Sequence, residues 1–150
     1  MTDLLISDFS DIRFQEAFQT YFREIGVNVR NWDGLFREMT EDGNLAWLRL
    51  SEDGGVIGFI QFKPIALANW FFEEKAGFIR EFWVAEAHRG QGHGSALLRM
   101  AESHFMGQGV HRILLTTDSA PDFYQKHGYR KNPSIQAKNH DDVYVKELPV

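Results

Sequence analysis

The sequence predicts a mixed α/β fold, a sheet of about six to seven strands flanked by about four helices. Three observations carry that reading. Stretches with strand-like alternation are interleaved with stretches of helical spacing along the chain. An apolar run, Phe78 to Val84, gives way to alternating glycines and then to a helix-patterned segment. No repeat or linker-like segment interrupts the 150 residues, so residues 1–150 read as a single domain large enough to bury a core.

Taken in order, Leu4 to Ile6 reads as a short strand. Ser10 or Asp11 caps a helix in which Ile12, Phe14, Phe18, Tyr21, Phe22 and Ile25 recur near helical spacing, and Gly26 ends it. Trp32 to Met39 forms a second, shorter helix closed by Thr40 to Gly43. Leu45 to Leu50 and Val56 to Phe62 alternate as two strands joined by Ser51–Gly55, a hairpin signal, with Pro64 ending the second. Between them and the next strand, Asn69-Trp70-Phe71-Phe72-Glu73-Glu74 sets three aromatics before two carboxylates. That segment reads as a helical flap over the sheet edge or as a wall for alkyl-ammonium groups.

Phe78 to Val84 is rich in aromatic and branched residues and reads as a strand. After a polar turn, Ala85 to His88, helical spacing starts at Ala96 with Leu97, Ala101 and Phe105 beside Leu98 and Met100, and Gly107 and Gly109 stop it. Arg112 to Thr117 is a buried strand. Ser119 caps a brief helix with Pro121 in its first turn and Asp122 completing the capping box. Gly128 ends that helix, Tyr129 opens another strand, and Val143 to Leu148 is the last one after a polar loop.

Composition removes several classes of function. The absence of cysteine excludes a disulfide framework, a thiolate metal site and a cysteine nucleophile. No apolar run approaches the ~20 residues of a membrane span, and Met1-Thr2-Asp3 does not open a signal peptide, so the expected address is cytoplasmic. A net charge of −5 argues against nucleic-acid binding. The six histidines are not at ligand spacing with acidic partners, and no metal is assigned. Residues 1–75 hold seven basic against thirteen acidic side chains, residues 76–150 nine against eight. An acidic first half beside a neutral half suits either a cationic group meeting an anionic one or solubility alone.

A strand that stops in glycines at a helix start makes an anion site. Glycines admit the ligand to the backbone, and the first helical N–H groups lack partners inside the helix and lie at the positive end of its dipole. Arg89-Gly90-Gln91-Gly92-His93-Gly94-Ser95 has that form. It lacks the lysine of a nucleotide-hydrolase phosphate loop. A dinucleotide fingerprint starting at Gly90 and Gly92 would need Gly or Ala where Ser95 stands, with an acidic partner near Asp118. That reading remains a minority alternative.

The pattern more closely resembles the acyl-CoA signature of the GNAT superfamily of acetyl-CoA-dependent N-acetyltransferases, in which Gln or Arg, two residues, Gly, one residue and Gly or Ala follow the strand. Arg89, Gly92 and Gly94 match it. Phe123-Tyr124-Gln125-Lys126-His127-Gly128-Tyr129 is similar to a second segment of that family at about the expected distance. The two motifs span Phe78 to Tyr129.

The resemblance implies the GNAT fold, acetyl-CoA as co-substrate, and a small-molecule or peptide amine as acceptor. The backbone of Phe82 to Val84 would hold the pantetheine arm, and the amides of Gly90, Gln91, Gly92, His93, Gly94 and Ser95 the diphosphate. Arg89 would serve the phosphates or pack the turn, and Lys126 would reach the phosphates or stay solvated. Tyr124, with an ordinary pKa of about 10 against about 8.5 for a thiol, would be the general acid. Glu81 would be the base or amine anchor. Glu81 and Arg80 are adjacent on a strand and face opposite sides, so only one enters the cleft; with Arg80 inward, a water chain would take the amine proton and a substrate carboxylate would pair with Arg80. Trp32 and Phe36, with Trp70, are the candidate acceptor walls. A non-catalytic acyl-CoA-binding module is the alternative, and monomer and homodimer both fit.

Overall fold

The structure, a computed structural model, describes residues 1–68 and 70–149. In chain order the elements are β1 (Thr2–Ile6), α1 (Ile12–Glu24), α2 (Trp32–Glu41), β2 (Leu45–Leu50), β3 (Val56–Ala68), β4 (Glu73–Val84), a 3₁₀ turn (Glu86–His88), α3 (His93–Gly107), β5 (Arg112–Thr117), α4 (Pro121–Lys126), β6 (Arg130–Lys131) and β7 (Asp142–Glu147). This is the expected mixed architecture: the strands hydrogen-bond in the order β1-β2-β3-β4-β5-β7-β6. The pairs β1–β2, β2–β3, β5–β7 and β6–β7 are antiparallel, while β4 and β5 are parallel. A parallel pair needs a long crossover, which α3 supplies. Among the described residues no helix is long and apolar enough to cross a membrane.

The residues group into two compact units, Met1–Lys63 with Glu81–Ala101, and Pro64–Arg80 with the chain from Glu102 onward. The first is built on aromatic packing. Phe14, Ala17 and Phe18 form the buried stripe of α1, and Ala46, Leu48 and Leu50 alternate inward from β2 to meet them. Phe14 lies 4.9 Å from Phe9 and 5.0 Å from Phe59, both at steep angles, as ring quadrupoles favour. Each such side chain contributes about 1.5–3 kcal/mol on burial. Asp11, one of the two expected caps, accepts hydrogen bonds from the N–H groups of Arg13 and Phe14. Asn31 caps α2 through the N–H of Gly34 at 2.9 Å.

In the second unit β5 is buried at Ile113, Leu114 and Leu115 and pairs with β7 along its whole length, from Arg112↔Glu147 to Thr117↔Asp142. Gly77 of β4 passes so close to α3 that a Cβ there would stand 2.7 Å from the ring of Phe105. Arg112 clamps Glu74 with Nε and Nη2, at 3.0 and 2.8 Å.

Three expectations are corrected. Pro64 does not end its strand, because β3 runs on to Ala68. The register with β2 stops at Phe62, so proline sits beyond that ladder, where a missing N–H costs little. The stretch after it is not a helical flap: burial alternates residue by residue from Lys63 to Ala68, the period of a strand, and β3 and β4 form a long hairpin. Asn69 lies outside the described residues; Trp70, Phe71 and Phe72 stand in the open at 99%, 87% and 75% exposure. Finally, Ser119 is not the cap of α4. Ala120 holds that position without a side-chain bond, and the Thr117 hydroxyl accepts the Ala120 N–H at 3.1 Å instead.

Candidate functional site

The glycine turn belongs to the first unit and is fixed at both ends. Upstream, the N–H of Ala85 donates to the carbonyl of Ile57 at 2.8 Å, closing β4. Arg89 then folds back over the 3₁₀ turn. Its Nε donates to the Val84 carbonyl at 2.9 Å and its Nη2 to Glu24 of α1 at 3.0 Å. Glu24 also accepts the indole N–H of Trp83. These contacts pack the Arg89 side chain against the turn, with half of it left exposed.

Gly90 and Gly92 have φ of +77° and +87°, and no atom would lie within 4 Å of a Cβ at either. Glycine is therefore required by the backbone torsion and not by lack of room. The first bond of α3 runs from the Ala96 N–H to the Gly92 carbonyl at 3.1 Å. The amides of His93 and Gly94 come before that bond, at the positive end of a 15-residue helix, which is the arrangement that receives an anion. His93 also places its Nδ1 3.2 Å from Arg49.

The faces of β3 and β4 are settled by their neighbours. Trp83 packs on Phe59, with ring centroids 6.0 Å apart, inside the cluster that includes α1 and α2. Glu81, two residues earlier, projects to that same side, and its Oε2 is shielded from solvent. Arg80 and Phe82 project to the other. Trp32 and Phe36 stack at 5.6 Å in the same cluster, but Phe36 is only 2% exposed and is a core residue before it is a wall.

Gln61 was not singled out by the sequence. It pairs with Ala46 across β2–β3, shares the face of Phe59, and is wholly buried. Its Oε1 and Nε2 find no hydrogen-bond partner among the described residues. A glutamine between apolar neighbours leaves no periodic signal, so only the fold shows it.

The second unit holds Trp70, Arg80, Tyr124 and Lys126. Trp70 is at the exposed hairpin tip and Lys126 is exposed at the end of α4. Tyr124 is half-buried, its ring 5.8 Å from that of Tyr129. The Tyr124 carbonyl accepts the N–H groups of His127 and Tyr129, both at 3.0 Å, with Gly128 at φ +91° between them. The glycine of the second motif thus closes α4 and points Tyr129 inward. There its hydroxyl donates to Glu102 Oε2 at 2.8 Å, and Lys146 meets the same carboxylate at 3.1 Å. Burial, then the Glu102 charge, push the Tyr129 phenol far above its ordinary value.

This unit also contains an open cavity of about 850 Å³, lined by Ile65, Leu67, Phe78, Leu114 and Val143 and by residues 135–139. Its size and apolar lining with a few polar groups (Thr116, Lys138, Asn139) are those of a small-molecule site.

A profile described as the acetyltransferase (GNAT) family matches residues 2–129. Among solved structures, a GNAT-family acetyltransferase from Staphylococcus aureus Mu50 is 18% identical over 99% of this chain and 100% of that one, with a TM-score of 0.70. N-acetylglutamate synthase from Neisseria gonorrhoeae, solved with coenzyme A and N-acetyl-glutamate, is 15% identical over 100% of this chain and 36% of that longer one, with a TM-score of 0.73. A protein of Clostridium acetobutylicum, named as a predicted acetyltransferase and solved with acetyl-CoA, is 14% identical over 91% and 94% of the two chains, with a TM-score of 0.76. At such identities these likenesses are of fold.

Proposed function

Because the chain belongs to the acetyltransferase (GNAT) family, we propose that it transfers the acetyl group of acetyl-CoA directly to a primary amine of a small molecule or peptide, in a ternary complex. The glycine turn carries the reading: paired positive-φ glycines ahead of the first α3 bond are what a diphosphate needs. The family match favours this reading over a dinucleotide site at the same glycines.

In this reading the amides of residues 90–95 hold the diphosphate. The backbone of Phe82–Val84, which runs past the β4–β5 register of Gly77 and Phe78, holds the pantetheine arm as an added strand. Tyr124 gives its proton to the departing thiolate as the C–S bond breaks and the C–N bond forms. Glu81 takes the proton that the amine loses or anchors the ammonium group beforehand. The apolar cavity of the second unit favours an acceptor with an apolar body. One chain or two identical chains would serve this chemistry, in the cytoplasm.

The test is thiol release from acetyl-CoA with a panel of amines and peptides. Turnover that requires an amine, and that falls about a hundredfold in kcat for Tyr124→Phe at unchanged acetyl-CoA KM, is the expected outcome. Tight acetyl-CoA binding with no amine-dependent release, and no effect of Tyr124→Phe, would instead identify a non-catalytic acyl-CoA-binding module.

A further inference from the structure

Behind the glycine turn lies a charged chain that acetyl transfer as described above does not use. Arg49, on β2, is 8% exposed, and its guanidinium grips Asp3 of β1 through Nε–Oδ1 at 2.8 Å and Nη2–Oδ2 at 3.1 Å. Its remaining nitrogen, Nη1, lies 3.2 Å from Nδ1 of His93. Arginine offers only donors, so Nδ1 of His93 accepts, and the ring is the neutral tautomer with its proton on Nε2. Burial first and the Arg49 cation second hold this imidazole below its ordinary pKa; His88, 6.0 Å away, acts in the same direction and Asp3 opposes them.

His93 is the first residue of α3 and stands between Gly92 and Gly94. Glycines on both sides give a peptide the most conformational freedom to lose. Next to it Gln91 holds only a long bond, 3.5 Å, to the Ala87 carbonyl. The His93 ring therefore tethers the start of α3, and its anchor is a buried cation on a strand far away in sequence. We propose that Arg49 is a positioning residue for the acyl donor: through His93 it holds the first peptide of α3 in the orientation that receives the donor's diphosphate. This inference rests on the acyl-CoA reading of the glycine turn.

Calorimetric titration of the full chain with CoA tests it. His93→Leu removes the acceptor and leaves the Asp3–Arg49 pair intact, so it carries the test even where Arg49→Met, which strips Asp3 of its partner, fails to fold. Each of the two is expected to raise the Kd about tenfold, and the double variant no further, since both cut one link. His93→Asn, whose Oδ1 stands where Nδ1 stood, is expected to bind within about twofold of the parent. Nitrogen shifts of His93 in the parent are expected to show the Nε2-protonated neutral ring, with the Nδ1 hydrogen-bond signature lost in Arg49→Met. His93→Leu binding as the parent does, His93→Asn binding as weakly as His93→Leu, or additive losses would overturn the inference. A parent chain that binds no CoA would overturn the reading of the glycine turn itself, and this inference with it.

Discussion

Arg89 and Glu24, 65 positions apart in the chain, meet at 3.0 Å. The pair is half-exposed, at 50% and 35% of the two side chains, so its Coulomb energy alone is worth little. Its effect is geometric: it keeps the guanidinium where Nε can hold the Val84 carbonyl at 2.9 Å.

The first prediction follows from that fork. Lysine keeps the charge but cannot make both bonds. Arg89→Lys and Arg89→Met are expected to raise the acetyl-CoA KM alike, by about three- to tenfold, with melting temperature nearly unchanged. Were Arg89 a phosphate ligand through its charge, lysine would keep most of the affinity, and steady-state kinetics of the two variants would separate.

A second prediction concerns the approach of β3 to β4. A Cβ on Gly58 would stand 2.5 Å from the Trp83 carbonyl oxygen and 3.1 Å from the Val84 Cα, both main-chain atoms. Backbone yields less readily than a side chain, so Gly58→Ala has to move the end of β4. A loss of about 1–3 kcal/mol in urea unfolding is expected, together with a raised acetyl-CoA KM, because the turn hangs from that strand end. Gly58→Ala behaving as the parent in both assays would show that β3 can give way.

How much of this was readable beforehand depended on whether a feature is local. Helix α1 with its Asp11 cap, the β2–β3 pair and the glycine turn are written in spacing and turn chemistry, and they formed as expected. Pro64 was misread because its effect depends on whether a ladder reaches it, and the β2 register stops at Phe62. Ser119 was misread because Thr117 satisfies the same donor from the strand before. The contacts of Arg49 with His93 and of Glu24 with Arg89 join residues 44 and 65 positions apart, a distance at which no periodicity carries information.

Gln61 yields a third prediction. A buried amide with neither atom paired costs about 1–3 kcal/mol, and methionine has nearly its shape without the polar groups. Gln61→Met is expected to raise the urea midpoint at unchanged m-value, a gain of about 1–2 kcal/mol in unfolding free energy. A fall in stability would show that the amide is satisfied in solution.

The last prediction is a pH dependence centred on Tyr129. Tyr129 is 1% exposed, and its phenol donates to Glu102 at 2.8 Å and has its pKa pushed up by burial and by that carboxylate. In the unfolded chain it titrates near about 10. The neutral phenol therefore stabilises the fold fully below that pH. Above it, the unfolded chain loses a proton that the folded chain keeps, and stability falls with rising pH by about 1.4 kcal/mol per unit. Phenylalanine cannot ionise, but it leaves Glu102 with Lys146 alone, at 3.1 Å. Tyr129→Phe is therefore expected to be less stable by about 1–3 kcal/mol at neutral pH. That deficit should shrink steadily between about pH 10 and 11, because only the parent's unfolded chain has this phenol to ionise. Urea unfolding of the pair across this range measures it, and a deficit that stays constant would mean that the phenol ionises as readily in the fold as outside it.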